Sequence, residues 1–174
     1  MEERIPKCKK RIINAFIELR RKKELEKITV TELIKKADVN KSTFYVYYHD
    51  IYDLSEQLEE EIINSIAASI RHPERMIEDT PMVTRELFAA FSQHQNMTSI
   101  LFSGSRSSIL PEKIMAKIEE IIYAHYPLYK DDLRIHVIMT YQIYGSYFAF
   151  RNHMDQDQMY VASIIAEIGG RINN

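Results

Sequence analysis

The stretch ITVTELIKKADVNKSTFYVYYHDIYDL, residues 28–54, decides the fold. Thr29 followed by Glu32 has the spacing of a capping box, each side chain meeting a backbone donor that the first helical turn leaves over. Ile28 and Leu33 flank that cap as a hydrophobic staple. The pattern predicts a helix over 30–37 with Leu33, Ile34 and Ala37 on its inner face. Asp38 then stands where a sharp turn needs a residue that tolerates left-handed backbone, and Val39 fills the gap behind it. Asn40 is a strong N-cap for a second helix over 41–48. Asp50 caps a third, with Asp53 at its third position. The second helix is about two turns long. It carries Lys, Ser, Thr and three tyrosines and has little to bury. A helix so short and polar is shaped to be held outward, as the recognition helix of a DNA-binding helix-turn-helix is held in a major groove.

At these residues the chain resembles TetR/AcrR-type transcriptional regulators. The resemblance rests on Thr29, Val30, Ile34, Ala37, Val39, Asn40, Thr43, Tyr45, Tyr47 and Tyr48, and it spans residues 8–55. The remainder matches that family in length and helical character. Its aromatic penultimate helix is similar to the C-terminal domain of many regulators from Gram-positive bacteria. Three positions depart from the pattern. Asp38 and Ser42 stand where the family has glycine, and Ile51 replaces the lysine usual at the start of the connecting helix. His49 is the neighbour left to supply that phosphate contact. Two further expectations follow from groove geometry. Lys41 and Ser42, at the N-terminus of the second helix, aim at base edges, with Lys41 a donor to guanine. Thr31 donates to a phosphate. Thr43, Tyr45 and Tyr47 resemble family positions that touch phosphate or base methyls, while Phe44 and Tyr48 pack inside the head.

Composition sets the outer bounds. With 174 residues, 45% hydrophobic, four glycines and five prolines, the chain can bury a core and favours helices over a turn-punctuated series of strands. One cysteine, Cys8, excludes an intrachain disulfide. The charged residues 1–4 are not followed by an apolar leader segment, so a cytoplasmic protein is expected. The most apolar stretch, 133–150, contains Arg134, His136 and Gln142 and is too interrupted to span a membrane. Net charge is −2, but it is unevenly divided. Residues 1–50 hold 13 Lys/Arg against 8 Asp/Glu, and residues 51–174 hold 10 against 17. A basic head and an acidic body suit a protein that meets phosphates at one end only.

Periodicity places the other helices. The first runs over 6–23, with Ile12, Phe16 and Leu19 on one face; the Lys7 to Arg11 cluster reaches for phosphate, and Arg20 to Lys23 form a solvated last turn. The connecting helix, 51–71, buries Leu54, Leu58, Ile62, Ile66 and Ile70, with Glu56, Glu59, Glu60 and Glu61 as its wet face. Residues 72–80 form a loop. A helix over 82–94 follows, then a short one capped by Asn96. The run SGSRSS at 103–108 joins helices or flanks a ligand entrance. A helix over 111–126 precedes a turn at Pro127 and a cap at Asp131. Of the 18 residues over 133–150, 12 are apolar or aromatic and lie all round the helix. Such a helix must be covered on every side, and one small core covers only half of it. Gly145 and Ser146 would admit a second helix closely, and the last helix, 156–172, completes half of a four-helix dimer bundle.

The sequence therefore commits to an all-α fold of about nine helices. A three-helix helix-turn-helix head occupies 1–50 and a helical dimerisation and ligand domain occupies 51–174. The resemblance implies a homodimer on an inverted-repeat operator in double-stranded DNA, most often a repressor, released when a small-molecule effector shifts the connecting helix. The alternative is control by a protein partner. Aromatic groups available to line an effector site are Phe88, Phe91, His94, Tyr123, Tyr141, Tyr144 and Phe148. No catalytic residue, metal or cofactor is expected. The pair His49-Asp50 is similar to that of helical metal-dependent phosphohydrolases, but no histidine precedes it. His125, His136 and His153 lack ligand spacing, and no nucleophile motif is present.

Overall fold

A computed structural model describes residues 6–172; the charged segment 1–4 lies outside them. Among the described residues there are eight α-helices, four 3-10 turns and no strand. The helices are α1 (Lys7–Arg20), α2 (Val30–Ala37), α3 (Lys41–Tyr47), α4 (Ile51–Ala68), α5 (Thr80–Leu101), α6 (Ile109–His125), α7 (Leu133–Asn152) and α8 (Gln158–Ile172). By contact the chain divides into two units. The first holds the residues up to Glu61 together with Asn96–Ser107, and the second holds Ile62–Gln95 and the chain from Ser108 onward. The boundary expected after residue 50 falls inside the first unit. α4 and α5 are each one unbroken helix with residues in both units.

In the first unit, Ile12, Phe16 and Leu19 of α1 are buried, as are Leu33 and Ala37 of α2. α1, α2 and α3 pack on one another. α1 ends at Arg20 instead of 23, and Leu25–Lys27 form a 3-10 turn that buries Leu25. The expected solvated turn at 20–23 is corrected at Arg20, which is only 4% exposed. Its guanidinium donates to the carbonyl oxygens of Lys23 at 2.9 Å and Leu101 at 3.2 Å and to Ser103 Oγ at 2.8 Å. Leu101 is the last residue of α5. The carbonyls of a helix end lack intrahelical partners, and a cation there satisfies both the hydrogen bond and the dipole.

Glu59 corrects the expected wet face of α4. Glu56, Glu60 and Glu61 are exposed, but Glu59 is 0% exposed. Ile51, Ser55, Glu59, Ile63 and Ala67 follow at four-residue spacing and are all buried, a second row beside Leu54, Leu58, Ile62 and Ile66. Ser55 Oγ donates to Glu59 Oε1 at 2.9 Å, and Arg106 grips both carboxylate oxygens, its Nε donating at 2.9 Å. SGSRSS joins α5 to α6 as expected, but it is not a free joint. It contains the 3-10 turn Gly104–Ser108, tied to the first unit by Arg106 and by Ser105 donating to Glu26. Gly104 has φ +58, and a Cβ there would sit 2.7 Å from Glu24 Oε2.

The second unit revises three boundaries. α5 is continuous through Asn96, so the expected second short helix does not exist. Neither Gly nor Pro lies between 82 and 102, and the hydroxyls of Ser92 and Ser99 donate back to the carbonyls of Phe88 and Asn96 instead of opening the helix. α7 is capped by Asp132, whose Oδ1 accepts from the N–H groups of Arg134 and Ile135 at 2.8 and 3.3 Å. Asp131 ends the 3-10 turn Pro127–Asp131. α8 begins at Gln158, with Asp157 accepting from Met159 and Tyr160. Phe88, Ala162 and Ile165 form a cluster with Phe150, whose ring lies 4.7 Å from that of Phe88. The end of α8 rests on the start of α5: a Cβ on Gly170 would lie 2.6 Å from Pro81 Cγ. Nothing lies within 4 Å of the Cβ position of Gly145, whereas Gly169 and Gly170 are approached closely by Thr80 and Pro81 within this unit. No helix among the described residues is long and apolar enough to cross a membrane.

Arg106→Ala leaves the Glu59 carboxylate buried without its cation and should cost about 3–5 kcal/mol in denaturant unfolding. The double change Arg106→Met with Glu59→Leu should recover most of that loss.

Candidate nucleic-acid interface

α3 has seven residues, too few to be stable alone in water. Both of its ends are therefore fixed by side chains. Asn40 Oδ1 accepts from the Thr43 N–H at 2.7 Å, from Thr43 Oγ1 at 2.7 Å and from Ser42 Oγ at 2.8 Å. Past its C-terminus, Tyr48 turns to extended backbone (φ −141, ψ 139). Asp50 Oδ1 accepts from the Asp53 N–H at 2.8 Å to start α4, and Asp53 Oδ2 accepts from the His49 N–H at 2.7 Å. That last contact holds the Asp53 carboxyl below the usual aspartate range. Asp50 is thus occupied as a helix cap.

The turn before α3 follows the sequence reading. Asp38 adopts left-handed backbone (φ 49, ψ 53) and pairs with Arg11. At Thr29 the capping box is half formed. Thr29 Oγ1 accepts from the Glu32 N–H at 3.2 Å, but the Glu32 carboxylate pairs with Lys23 Nζ at 2.6 Å instead of reaching back to residue 29.

Two rings anchor α3. Phe44 and Tyr48 are buried, with centroids 5.7 Å apart. The Tyr48 hydroxyl is buried with no hydrogen-bond partner among the described residues, and burial pushes its pKa up. Lys9 Nζ stands 5.9 Å over the Tyr48 ring and 4.0 Å from Glu61 Oε1. Lys9 and Arg11, two members of the basic cluster on α1, are therefore engaged within the first unit, while Lys7 and Lys10 are exposed.

With Phe44 turned inward, a 100° step per residue puts Ser42 and Val46 on the far side of α3, with Tyr45 and then Lys41 next to them around the helix. All four are exposed; Tyr45 is 49% and Val46 74% exposed. Thr43 and Tyr47 flank this face and are half-buried, and His49 and Thr31 are exposed. Lys41 Nζ lies 5.9 Å from the Tyr45 ring centroid. The Ser42 and Thr43 protons are both given to Asn40, so these hydroxyls present lone pairs outward and Lys41 supplies the donor. Ile51 is buried at the start of α4. Sequence reasoning passed over two exposed side chains here, Val46 and Tyr52. The signal available for Val46 was its four-residue spacing from Ser42.

The seven aromatic positions proposed for an effector differ in burial and in neighbours. Phe88 is stacked on Phe150. Phe91 and His94 are half-buried on α5. Tyr123 belongs to a polar knot between α6 and α7. Its hydroxyl lies 3.1 Å from His136 Nδ1 and 3.2 Å from Glu119 Oε1, and His136 Nε2 donates to the Lys130 carbonyl at 2.7 Å. Burial and Glu119 push the Tyr123 pKa up to about 12. Tyr144 is half-buried, whereas Tyr141 and Phe148 are exposed. The Arg151 guanidinium covers Phe148 at 4.7 Å.

No protein-family model and no curated protein matches the chain. Among solved structures the fold is similar to that of a fatty acid degradation regulator, FadR, from Bacillus halodurans. The TM-score is 0.59 at 14% identity, over 97% of this chain and 96% of that one. At that identity the likeness is one of fold.

Tyr48→Phe removes the unpartnered buried hydroxyl and keeps the ring. It should raise unfolding stability by about 1 kcal/mol; a loss of stability would show that the hydroxyl is satisfied.

Proposed function

We propose that this chain is a sequence-specific DNA-binding transcriptional regulator of the TetR/AcrR type, acting in the bacterial cytoplasm as a homodimer and, in that family's usual manner, as a repressor. The observation that carries the reading is the outer face of α3. A helix with only Phe44 turned into the core offers Lys41, Ser42 and Tyr45 to a groove, and no packing need accounts for their presence together. Thr31, Tyr47 and His49 border this face as phosphate or sugar contacts, and Thr43, whose hydroxyl is committed to Asn40, lies among them. The basic balance of the first fifty residues supplies the sequence-independent attraction to the duplex.

The dimer reading rests on α7 and α8. Leu133, Val137, Tyr141 and Phe148 on α7, and Tyr160, Ile164 and Ile168 on α8, are exposed large apolar groups at helical spacing. Open space at Gly145 continues that face. Two copies joined there would present two α3 helices to an inverted repeat.

Effector control draws on the fold likeness and on the aromatic groups of the second unit. The similar fold is that of a regulator of fatty acid degradation, and an apolar or amphiphilic small molecule suits the aromatic groups Phe88, Phe91 and Tyr144. Tyr141 and Phe148 fit the dimer face better. Their exposure also supports a second reading, in which a protein partner takes the place of the small molecule. Compounds that co-purify with the chain, or that change its affinity for DNA, distinguish the two.

Selection of duplexes from a random pool by the purified protein should enrich an inverted repeat. On that duplex Lys41→Ala and Tyr47→Ala should each weaken binding by about 1–3 kcal/mol. Unchanged isotherms for both, with the fold intact, would remove the groove assignment. The pair Tyr141→Asp with Ile164→Asp should bring the sedimentation mass down to that of a 20.6 kDa monomer.

A further inference from the structure

α3 carries one side chain that neither packing nor polar chemistry explains. Val46 is 74% exposed, the most exposed of the apolar groups on this short helix. A β-branched residue is a poor choice for a helix of seven residues, because it gives up χ1 freedom and gains nothing from packing. It lies one turn from Ser42 and beside Tyr45, on the same outer face. An isolated exposed valine is ordinary on a protein surface. This one is set in a face whose other members are an ammonium, a hydroxyl and a phenol.

Resting on the reading of α3 as a groove-docking helix, we propose that Val46 is a specificity-determining residue that reads the C5-methyl group of thymine. The major groove offers donors and acceptors on every base pair but one apolar group only, the thymine methyl. A valine has no donor or acceptor. Against guanine, cytosine or adenine edges it would displace water from polar atoms without replacing the hydrogen bond. Against a thymine methyl it buries apolar surface on both sides. Lys41 supplies charge complementary to the duplex on the same face, which argues for DNA as the occupant over an apolar protein surface. The two elements then divide the work: Lys41 and Ser42 read polar edges, and Val46 marks a thymine at a fixed offset from them.

The test uses the full-length protein and the duplex it selects from a random pool. Each thymine of the enriched half-site is replaced in turn by deoxyuridine, which lacks only the methyl. For the wild-type protein one thymine per half-site should prove sensitive, with binding weakened about three- to fivefold per methyl lost. Val46→Ala should fold normally by circular dichroism, bind the thymine duplex more weakly, and be indifferent to deoxyuridine at that position alone. Val46→Thr, which keeps one methyl, should fall between them. If Val46→Ala shows the same thymine-to-deoxyuridine ratio as the wild type at every position, or if the wild type is indifferent throughout, Val46 is not a methyl reader and the groove assignment of Lys41 and Tyr47 stands. If no duplex is enriched at all, the DNA-binding reading fails and the Val46 proposal fails with it.

Discussion

A helix of seven residues survives only if something outside it removes its freedom, and in this protein Phe44 and Tyr48 do so. Their rings sit in the core of the first unit, where α1, α2 and α3 meet. Asn40 gathers three donors at the N-terminus, and Tyr48 leaves the helix as extended backbone. Helix formation so short is unfavourable by itself; burial of two large rings offsets it. The side chains away from those rings are left exposed. Lys41, Ser42, Tyr45 and Val46 are outward because Phe44 and Tyr48 are inward. Every functional statement about α3 depends on that division.

The first unit has a second fastening, made of buried charge. Arg20 closes the carbonyl end of α5, and Arg106 grips Glu59. Both join the segment 96–107 to residues that precede 62, so a stretch far along the chain becomes part of the head. Buried pairs of this kind seldom add much net stability, but losing one partner is costly, so they fix one arrangement over its alternatives. The stretch with the most loop-like composition, SGSRSS, is in consequence one of the best-anchored.

The second unit solves the problem of α7 by halves. Ile135, Met139, Gln142 and Ile143 are buried, while Leu133, Val137, Tyr141 and Phe148 are exposed. A helix apolar all round has no preferred side to present to water, and a unit of this size can cover only part of it. The outer stripe continues across α8 through Tyr160, Ile164 and Ile168. A contiguous apolar surface of that kind marks a contact site.

How much was legible beforehand follows from the range of each interaction. The bounds of α2, the left-handed turn at Asp38 and the Asn40 and Asp50 caps were readable because each is a contact between residues within a few positions of each other, and the inward Phe44 was readable from the resemblance at 28–54. The all-helical class followed from periodicity and from the scarcity of glycine and proline. The burial of Glu59 and Arg20, the half-formed cap at Glu32 and the return of 96–107 to the head were not readable. Each depends on a partner distant along the chain, and a glutamate on a helix looks solvated until an arginine 47 positions away is known to meet it. The same holds for the aromatic groups of the second unit. Sequence identified them as apolar, but only the packing of α5, α7 and α8 decided that Phe88 lies in a core and Tyr141 faces outward.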